Sequence, residues 1–445
     1  LREQWKTHRQ KRRYRSCGME LSGPMARPPK EIPDCTVVGY DFSWLRSRND
    51  YCLAARQLSN CLGDRSPLGA PVLCVRRYGQ TLAAVEVDGG KIVSIGAYGA
   101  KPVDADYADK RIIPGMIDVH CHGAYKFDTN YAEEAGLRNW AKNIVGEGVT
   151  AFLATTITQS EDVLTKAVAN VAKVMEEGYE GAEILGIHFE GPYLDMKYKG
   201  AQPEEHIVKP TIEQFERYQA AAKGNIRYVT MATETDKDFE LTKYLADRGI
   251  VVSIGHSAAT YEQACMAFAN GAQCLTHVYN GMTPFNHRAN GLVGAAFRLR
   301  TMYGEVICDG NHSTTAALNM FFMSKGPDYS IMVSDALMAK GTPIGSRHIF
   351  GGNEILIYPD GSAHLTKIDT LAGSTLQLNK GLKILIEDAL VPVNYAINAC
   401  TLNPANCLGI ADRKGSIRVG RDADIVVLDT DYSVIQTYCM GEPQL

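Results

Sequence analysis

The feature that most constrains the fold of this sequence is a regular alternation of short apolar runs with longer amphipathic segments between residues 112 and 335. Eight runs have the length and composition of buried strands: 112–119, 149–155, 184–190, 226–232, 250–255, 273–278, 305–309 and 331–335. Between them, apolar residues recurring at intervals of three and four predict helices over 133–145, 161–177, 212–222, 239–248, 261–270 and 314–324. Eight strands alternating with helices predict an α/β fold, a (β/α)8 TIM-like barrel. A doubly wound open sheet is the alternative, but no glycine-rich phosphate-binding turn follows the first run to support it.

Both flanks of this region have a different pattern. Residues 82–96 predict a β-hairpin that turns at Gly89 and Gly90, and residues 415–429 predict a strand, a turn and a strand. We expect these ends to pair in one small sheet, within a β-sandwich domain formed by residues 71–110 and 411–445, which leaves 111–410 for the barrel.

The first 70 residues match neither pattern. They begin with Leu1, carry a basic run up to Arg15, and continue with irregularly placed glycine, proline and arginine. This composition predicts a poorly ordered or irregular extension over residues 1–70, which could be a fragment or an over-extended reading frame. A targeting peptide fits less well, because an apolar core segment is absent.

Composition narrows the functional classes. A length of 445 residues exceeds what one compact core usually holds, and 45% hydrophobic and 22% charged residues with a net charge of -4 are typical of a soluble globular protein. No basic surface for nucleic acid is indicated, and no apolar run approaches the roughly 20 residues that cross a bilayer. The twelve cysteines lack CxxC pairs and several lie in apolar runs, so we expect reduced thiols and a cytoplasmic location.

Side chains that bind metals recur at the carboxyl ends of the predicted strands. They are His120, His122, Glu190, His256, His277 and Asp335. A single histidine at a strand end is more often structural, but the carboxyl ends of barrel strands form the active face, and six such residues at one end are hard to obtain by chance. Cys121 lies between two of the histidines and should face away from the site, because alternate strand residues point to opposite faces.

This set predicts a metal-dependent hydrolase. Imidazole and carboxylate ligands without a thiolate suit zinc or iron, and more than three ligands leave room for one or two ions per chain. A divalent metal lowers the pKa of bound water and so provides a hydroxide nucleophile. Asp335, if it reaches that water, can take its proton and pass it to a leaving amine. The alternative is that Asp335 is only a ligand or caps a helix.

Six further motifs carry a resemblance to a known family. They are Phe-Glu-Gly-Pro-Tyr-Leu at 189–194, Lys-Gly-Ala-Gln-Pro at 199–203, Gly-His-Ser at 255–257, Thr-His-Val-Tyr-Asn-Gly-Met at 276–282, Asp-Gly-Asn-His at 309–312 and Val-Ser-Asp-Ala at 333–336. From about Thr81 to about Gly441 the sequence resembles the N-acetylglucosamine-6-phosphate deacetylases of the amidohydrolase superfamily. The resemblance implies hydrolysis of the acetamide of N-acetylglucosamine 6-phosphate to glucosamine 6-phosphate and acetate.

The resemblance also implies roles for individual residues. Glu190, His256 and His277 would hold the primary metal, Asp335 would be the general acid and base, and His120 and His122 would allow a second metal. The residues implied to bind substrate are Gln202, Asn280, Gly281 through its amide, Arg288, His312, Leu371, Ala372 and Gly373. Arg288 would reach the phosphate from a neighbouring subunit, which implies a homodimer or a dimer of dimers.

The sequence departs from the family pattern at two of these positions. Gln202 stands where many members have a histidine that polarises the acetyl carbonyl, and an amide can donate a hydrogen bond there but cannot carry a proton. Gly281 stands where alanine is usual, a minor change if only the backbone amide is used.

Related activities fit less well. Dihydroorotases and hydantoinases share the barrel but use a carbamylated lysine on the fourth strand, and residues 226–234 contain no lysine. An adenosine-deaminase-like activity would not require Glu190. The alternative is that the chain is another amidohydrolase, which acts on a cyclic or N-acyl amide. A non-enzymatic scaffold protein is disfavoured, because such proteins tend to lose metal-binding residues and this sequence has all of them.

Overall fold

The computed structural model describes residues 72–76 and 82–445, and its main element is a sheet of eight parallel strands. In chain order, which is also their order in the sheet, these barrel strands are Met116–Cys121, Val149–Thr156, Glu183–Glu190, Ile226–Met231, Val251–Ile254, Cys274–Leu275, Tyr303–Ile307 and Ser330–Val333. Backbone hydrogen bonds close the ring, since the N–H of Asp335 donates to the carbonyl of His120 and the N–H of His122 donates to the carbonyl of Ala336, both at 2.8 Å. The predicted barrel is confirmed. The extension predicted over residues 1–70 lies outside the described residues.

Two strands differ from their predicted bounds for local backbone reasons. The predicted run 112–119 forms two strands that are separated by Gly115. The first, Arg111–Pro114, pairs with Ile425–Leu428, and the barrel strand starts only at Met116. A side chain at Gly115 would lie 2.1 Å from the hydroxyl oxygen of Thr150, so only glycine allows the close approach of these strands. The sixth strand ends early because His277 and Tyr279 adopt positive φ angles of 28° and 85°.

Helices pack around the barrel close to the predicted positions. Six were predicted and form over Glu134–Asn143, Glu161–Glu177, Ile212–Ala221, Glu240–Asp247, Tyr261–Ala269 and Thr315–Lys325. Four other α-helices among the described residues were not predicted: Gly291–Arg298, Leu378–Lys383, Val393–Cys400 and Leu402–Cys407. The helix Leu378–Lys383 continues as a π-helix over Ile384–Asp388. Short 3-10 helices span Thr129–Tyr131, Ile144–Glu147, Met196–Tyr198, Glu204–His206, Thr233–Thr235 and Lys237–Phe239. Side-chain caps explain several starts, as where Thr260 and Gln263 form a reciprocal capping box before Tyr261–Ala269. None of the described helices is both long and apolar enough to cross a membrane.

The two ends of the described chain form two sheets rather than the single sheet that we expected. One sheet has the order Lys91–Ala97, Leu82–Asp88, Val72–Arg76 and Ala105–Asp106, and the other has the order Glu442–Pro443, Val434–Cys439, Ile425–Leu428 and Arg111–Pro114. The predicted hairpin is confirmed, with Gly89 and Gly90 at positive φ. Side chains of both sheets share one apolar cluster, which contains Val85, Val87, Ile92, Ile112, Ala423, Ile425, Val427 and Tyr438. The domain bounds given above stay a prediction.

The strand predicted at the start of residues 415–429 is wrong. Residues 416–419 have irregular backbone, flanked by Gly415 and Gly420 at φ 81° and 87°. A Cβ at Gly415 would lie 2.8 Å from the carbonyl oxygen of Thr401, so the chain turns sharply here against a neighbouring segment. Only the second predicted strand forms, as Ile425–Leu428.

An inserted sheet follows the eighth barrel strand and was not predicted. Its antiparallel strands are Arg347–Phe350, Asn353–Ile357, Ala363–Leu365 and Thr370–Leu371. Its apolar face packs on Ile157 and Leu337, which lie at the mouth of the barrel. A further two-stranded ribbon, Gly123–Ala124 with Phe127–Asp128, follows the first barrel strand.

A buried ion cluster links the third barrel strand to the C-terminal segment. The ammonium of Lys414, 2% exposed, lies 2.9 Å from the carboxylate of Glu183 and 3.2 Å from that of Asp422, and it also pairs with Asp424. We expect Lys414→Met to lower the free energy of unfolding by about 3–5 kcal/mol, because removing one partner leaves buried carboxylates unpaired. Urea unfolding measures this loss. The exposed pair of Lys173 with Glu134 provides the control, and a Lys173→Met variant as destabilised as Lys414→Met would contradict the expectation.

Candidate metal centre

The carboxylate of Glu190 is the centre of a cluster of buried histidines. Glu190 ends the third barrel strand and is 2% exposed. Its Oε1 atom lies 3.3 Å from Nε2 of His120, 3.3 Å from Nε2 of His256 and 3.4 Å from Nε2 of His277. Three strand ends that are distant in sequence thus direct imidazole nitrogens at one carboxylate oxygen.

The remaining two predicted residues join the cluster on one side. His122 Nε2 lies 3.3 Å from Oε2 of Glu190 and 3.1 Å from Oδ1 of Asp335, and Asp335 Oδ1 lies 3.5 Å from Nε2 of His120. The structure therefore brings all six predicted strand-end residues together. Two groups of three residues could each hold a metal ion, because the ligand atoms within each group lie within 4.8 Å of one another. One group is His120, His122 and Glu190, and the other is Glu190, His256 and His277, so Glu190 belongs to both.

These residues fit a divalent cation. Nε2 of His120 and Oε1 of Glu190 are buried, and neither has a hydrogen-bond partner among the described residues. A buried polar atom without a partner costs roughly 1–3 kcal/mol, and a cation between these atoms would satisfy both. Nitrogen and oxygen donors without sulfur are suited to zinc or iron.

Left-handed backbone marks three of the strand ends. His256, His277 and Asp335 have φ angles of 47°, 28° and 50°. Non-glycine residues rarely adopt this region, and such strain clusters at functional sites, where the surrounding structure holds it. The turns end the fifth, sixth and eighth strands at the residues that face Glu190.

Hydrogen bonds fix the orientation of two of the imidazoles. The Nδ1–H of His256 donates to the carbonyl of Tyr198 at 2.9 Å, and that of His277 donates to the carbonyl of Asn280 at 3.0 Å. With the proton on Nδ1, the Nε2 lone pair of each ring faces Glu190, which is the arrangement of a metal ligand.

Neighbouring charges within the cluster shift the pKa values of its members. Burial opposes ionisation of His122, but hydrogen bonds to Asp335 and Glu190 raise its pKa to about 9. Burial likewise opposes ionisation of Asp335, yet the charge of His120 and a hydrogen bond from His122 hold the pKa of that carboxyl below its usual value. A divalent cation would compete with protons for the same nitrogen atoms.

A cavity of about 440 Å³ opens beside the cluster. Its walls include all but one of the residues predicted to bind substrate, namely Gln202, Asn280, Gly281, His312, Leu371, Ala372 and Gly373. The exception is Arg288, which is exposed and does not line this cavity. Sequence analysis missed Phe350, His364, Asp369 and Thr370, which line the cavity from the inserted sheet, because strands this short give no clear periodic signal.

The amide of Gln202 has a fixed orientation. Its Oε1 atom accepts a hydrogen bond from the N–H of Thr158 at 2.9 Å, and its Nε2 atom donates to Oε2 of Glu190 at 2.9 Å. The side chain is buried and also lines the cavity. Gln202 therefore holds the central carboxylate, while its role as a donor to substrate stays a prediction.

Two other residues near the cavity have informative partners. His312 Nδ1–H donates to the carboxylate of Asp309 at 2.7 Å, and although burial lowers the pKa of His312, Asp309 raises it above its usual value. Nδ2 of Asn280 is buried and has no hydrogen-bond partner among the described residues. Cys121 faces away from the cluster, since its thiol donates to the carbonyl of Leu153 at 3.4 Å.

Comparisons with known proteins agree with this geometry. A model described as the amidohydrolase family matches residues 111–443. N-acetylglucosamine-6-phosphate deacetylase of Bacillus subtilis (strain 168) is 40% identical to this chain over 337 residues, which cover 75% of this chain and 84% of the relative. The N-acetylglucosamine-6-phosphate deacetylase of Lysinibacillus sphaericus is 34% identical, and the match covers 79% of this chain and 90% of the relative. A mutant N-acetyl-D-glucosamine-6-phosphate deacetylase from Mycobacterium smegmatis, solved in complex with N-acetyl-D-glucosamine-6-phosphate, is similar in structure with a TM-score of 0.80 and 27% identity. That match covers 85% of this chain and all of the other.

Proposed function

The chain belongs to the amidohydrolase family and, within it, to the N-acetylglucosamine-6-phosphate deacetylases, and we propose that it hydrolyses the acetamide bond of N-acetylglucosamine 6-phosphate. The products are glucosamine 6-phosphate and acetate, so the reaction belongs to amino sugar metabolism. The observation that carries the proposal is the convergence of four histidines and Asp335 on Glu190 at the rim of a cavity of about 440 Å³. This volume lies in the usual range for small-molecule sites.

Two positions for a divalent cation are available. Glu190, His256 and His277 would hold the primary cation, and His120 and His122 would share Glu190 with a second one. A divalent cation such as zinc or iron held there would lower the pKa of a water molecule toward neutrality and would polarise the acetyl carbonyl.

Asp335 supplies the proton transfers. Its carboxylate lies at the cavity wall, and although burial raises the pKa of its carboxyl, the nearby positive charge of the cluster holds that pKa below its usual value. In the first step Asp335 takes a proton from the attacking water as the new bond to the acetyl carbon forms. In the second step it gives that proton to the amine nitrogen as the carbon–nitrogen bond breaks, so acetate and the free amine leave.

The other cavity residues position the sugar phosphate. Asn280, whose Nδ2 has no partner among the described residues, and the amide of Gly281 donate hydrogen bonds. Burial lowers the pKa of His312, but Asp309 raises it above its usual value, which favours the imidazolium form that can donate to phosphate oxygens. Leu371, Ala372 and Gly373 cover the sugar from the last strand of the inserted sheet and the loop after it. The second N–H of Gln202 is not used by Glu190 and can donate to the acetyl oxygen as negative charge develops there.

Arg288 completes the phosphate site from another subunit. It lies on an exposed segment, where its backbone N–H donates to the side chain of Asn286 at 3.0 Å, and it does not line the cavity of its own chain. A guanidinium can grip two phosphate oxygens at once. The enzyme is accordingly a homodimer or a dimer of dimers. The described cysteines are free thiols, which supports a cytoplasmic location.

We expect Arg288→Ala to raise KM for N-acetylglucosamine 6-phosphate strongly and to leave kcat largely unchanged. The phosphate contact is made equally in the ground and transition states, so its loss weakens binding rather than chemistry. Steady-state kinetics with phosphorylated and unphosphorylated N-acetylglucosamine measure the effect, and only the phosphorylated substrate should respond. Arg300→Ala, which removes another surface arginine, is the matched control.

Mixing variants tests whether Arg288 acts across the interface. A mixed dimer of Arg288→Ala and Asp335→Asn chains pairs one intact Asp335 with an intact guanidinium from the other chain. At a substrate concentration far below the KM of Arg288→Ala, where each variant alone is slow, the mixture should therefore regain part of the wild-type rate. A mixture no faster than the sum of its two components, although the subunits exchange, would show that Arg288 acts within its own chain.

Product analysis tests the proposed function itself. Purified protein is incubated with N-acetylglucosamine 6-phosphate, N-acetylgalactosamine 6-phosphate, N-acetylglucosamine and dihydroorotate, and proton NMR follows the release of acetate. We expect equal amounts of acetate and glucosamine 6-phosphate from the first substrate. Turnover of dihydroorotate without acetate release would instead support an amidohydrolase acting on cyclic amides.

A further inference from the structure

Glu305 is a buried carboxylate below the metal centre that the proposed mechanism does not use. It lies on the seventh barrel strand, Tyr303–Ile307, and its side chain is 0% exposed. Among the described residues no lysine or arginine pairs with it, and His120 is its ion-pair partner. A buried carboxyl group is costly unless polar partners compensate it, and its partners here show what it does.

Three donors from other barrel strands hold the Glu305 carboxylate in place. Nδ1 of His120 lies 3.0 Å from Oε2, and the hydroxyl of Tyr228 donates to Oε1. The N–H of His277 also donates to Oε2 at 3.4 Å. The carboxylate thus links the first, fourth and seventh strands and the turn after the sixth strand, beneath the cluster.

This geometry determines which nitrogen of His120 carries the proton. An ionised carboxylate only accepts hydrogen bonds, so a neutral His120 ring must place its proton on Nδ1 to bond with Glu305. Nε2 then keeps its lone pair, and that atom is the one that lies 3.3 Å from Glu190. The opposite tautomer would lose the bond to Glu305 and put a hydrogen where a cation would bind.

His120 differs in this respect from the other ligand candidates. His256 and His277 donate their Nδ1–H groups to neutral backbone carbonyls, and Nδ1 of His122 has no hydrogen-bond partner among the described residues. A charged acceptor forms a stronger hydrogen bond than a carbonyl and makes the imidazole a better donor to a metal. The carboxylate therefore acts on the side of the cluster that contains His120 and His122.

We propose that Glu305 is a positioning residue that orients His120 and so makes the position formed with His122 competent to bind its own divalent cation. Tyr228 has a supporting part, since its hydroxyl holds the second carboxylate oxygen. The inference rests on the proposed function only in taking the cluster as a divalent cation site.

Cobalt titration of the full-length protein tests this role independently of turnover. Visible absorption of bound Co²⁺ and equilibrium dialysis give the number of ions per chain and the affinity of each step. We expect two steps for the wild type, and in Glu305→Gln a roughly 10- to 100-fold weakening of one step with the other changed little, as for other carboxylates that orient a metal-bound histidine.

Two variants separate this role from a general effect on folding. Asp118→Asn neutralises another fully buried carboxylate, which bonds to the Ser334 hydroxyl and to backbone N–H groups but not to an imidazole, and it should leave both steps unchanged. Tyr228→Phe removes one hydroxyl that bonds to Glu305 and should weaken the same step by a smaller factor. It provides the test should Glu305→Gln fail to fold.

The outcomes are distinct from those of the proposed function. Wild-type protein that binds a single Co²⁺, or a Glu305→Gln protein with both steps like the wild type, would overturn the role of Glu305. If Glu305→Gln does not fold, a Tyr228→Phe protein whose two Co²⁺ binding steps match those of the wild type would also overturn the role of Glu305. A wild type that binds two ions, loses one with Glu305→Gln and yet releases no acetate would leave this inference standing and refute the proposed deacetylase activity.

Discussion

Replacing His277 by alanine is expected to reduce deacetylation to background. His277 contributes one of the three nitrogen atoms that face Oε1 of Glu190, and its Nδ1 bond to the carbonyl of Asn280 fixes that orientation. Without it the primary position keeps only Glu190 and His256, and two ligands hold a catalytic cation poorly, since catalytic zinc sites usually have three protein ligands. Metal content per chain and kcat, measured on the same preparation, should fall together.

A control histidine shows whether the effect is specific. His206 lies in a short 3-10 helix and does not line the cavity, so His206→Ala should retain both metal and rate. A His277→Ala enzyme with near-wild-type kcat would move the primary cation site elsewhere, whatever its metal content.

Replacing Asp335 by asparagine is expected to separate chemistry from binding. Asparagine has nearly the same shape as aspartate and keeps one carbonyl oxygen, but it cannot take or return a proton. We expect kcat to fall by at least about 10²-fold, which is the usual scale for a lost proton-transfer group, while KM and the metal content stay close to wild type.

Two controls accompany the Asp335→Asn measurement. Asp360→Asn changes a carboxylate that bonds only to Ser362 at the edge of the inserted sheet and should leave all constants unchanged. Asp309→Asn removes the partner of His312 and should raise KM instead of lowering kcat. If Asp335→Asn retains most of its rate, another group transfers the proton.

The barrel and its ligand set could be predicted because their signals are local and periodic. A parallel strand buried on both faces is a continuous apolar run, and each of the six strand-end residues lies at the end of such a run or within three residues of it. Glu190, for example, ends the run 184–190, and the strand formed there is Glu183–Glu190. Helix bounds were predictable for the same reason, since Glu161–Glu177 begins after the cap Ser160 and keeps its apolar stripe throughout.

The parts that were missed depend on contacts between distant segments. The role of Gly115 comes from its approach to Thr150, and no sequence pattern shows that one apolar run serves two sheets. The inserted sheet is built from very short strands, one of them only Thr370–Leu371, so it lacks periodicity although it lines the cavity. Glu305 is the first residue of the predicted run 305–309, and its proposed role depends on His120, which lies 185 positions away in sequence.

Metal removal and restoration tests the central claim most directly. The wild-type protein is treated with a chelator, its metal content is measured, and acetate release from N-acetylglucosamine 6-phosphate is followed before and after addition of zinc or iron. We expect acetate release to disappear in proportion to the metal lost and to return on addition of the cation, with one glucosamine 6-phosphate formed per acetate. Undiminished acetate release from protein whose metal content is far below one ion per chain would contradict the assignment of this chain as a metal-dependent deacetylase.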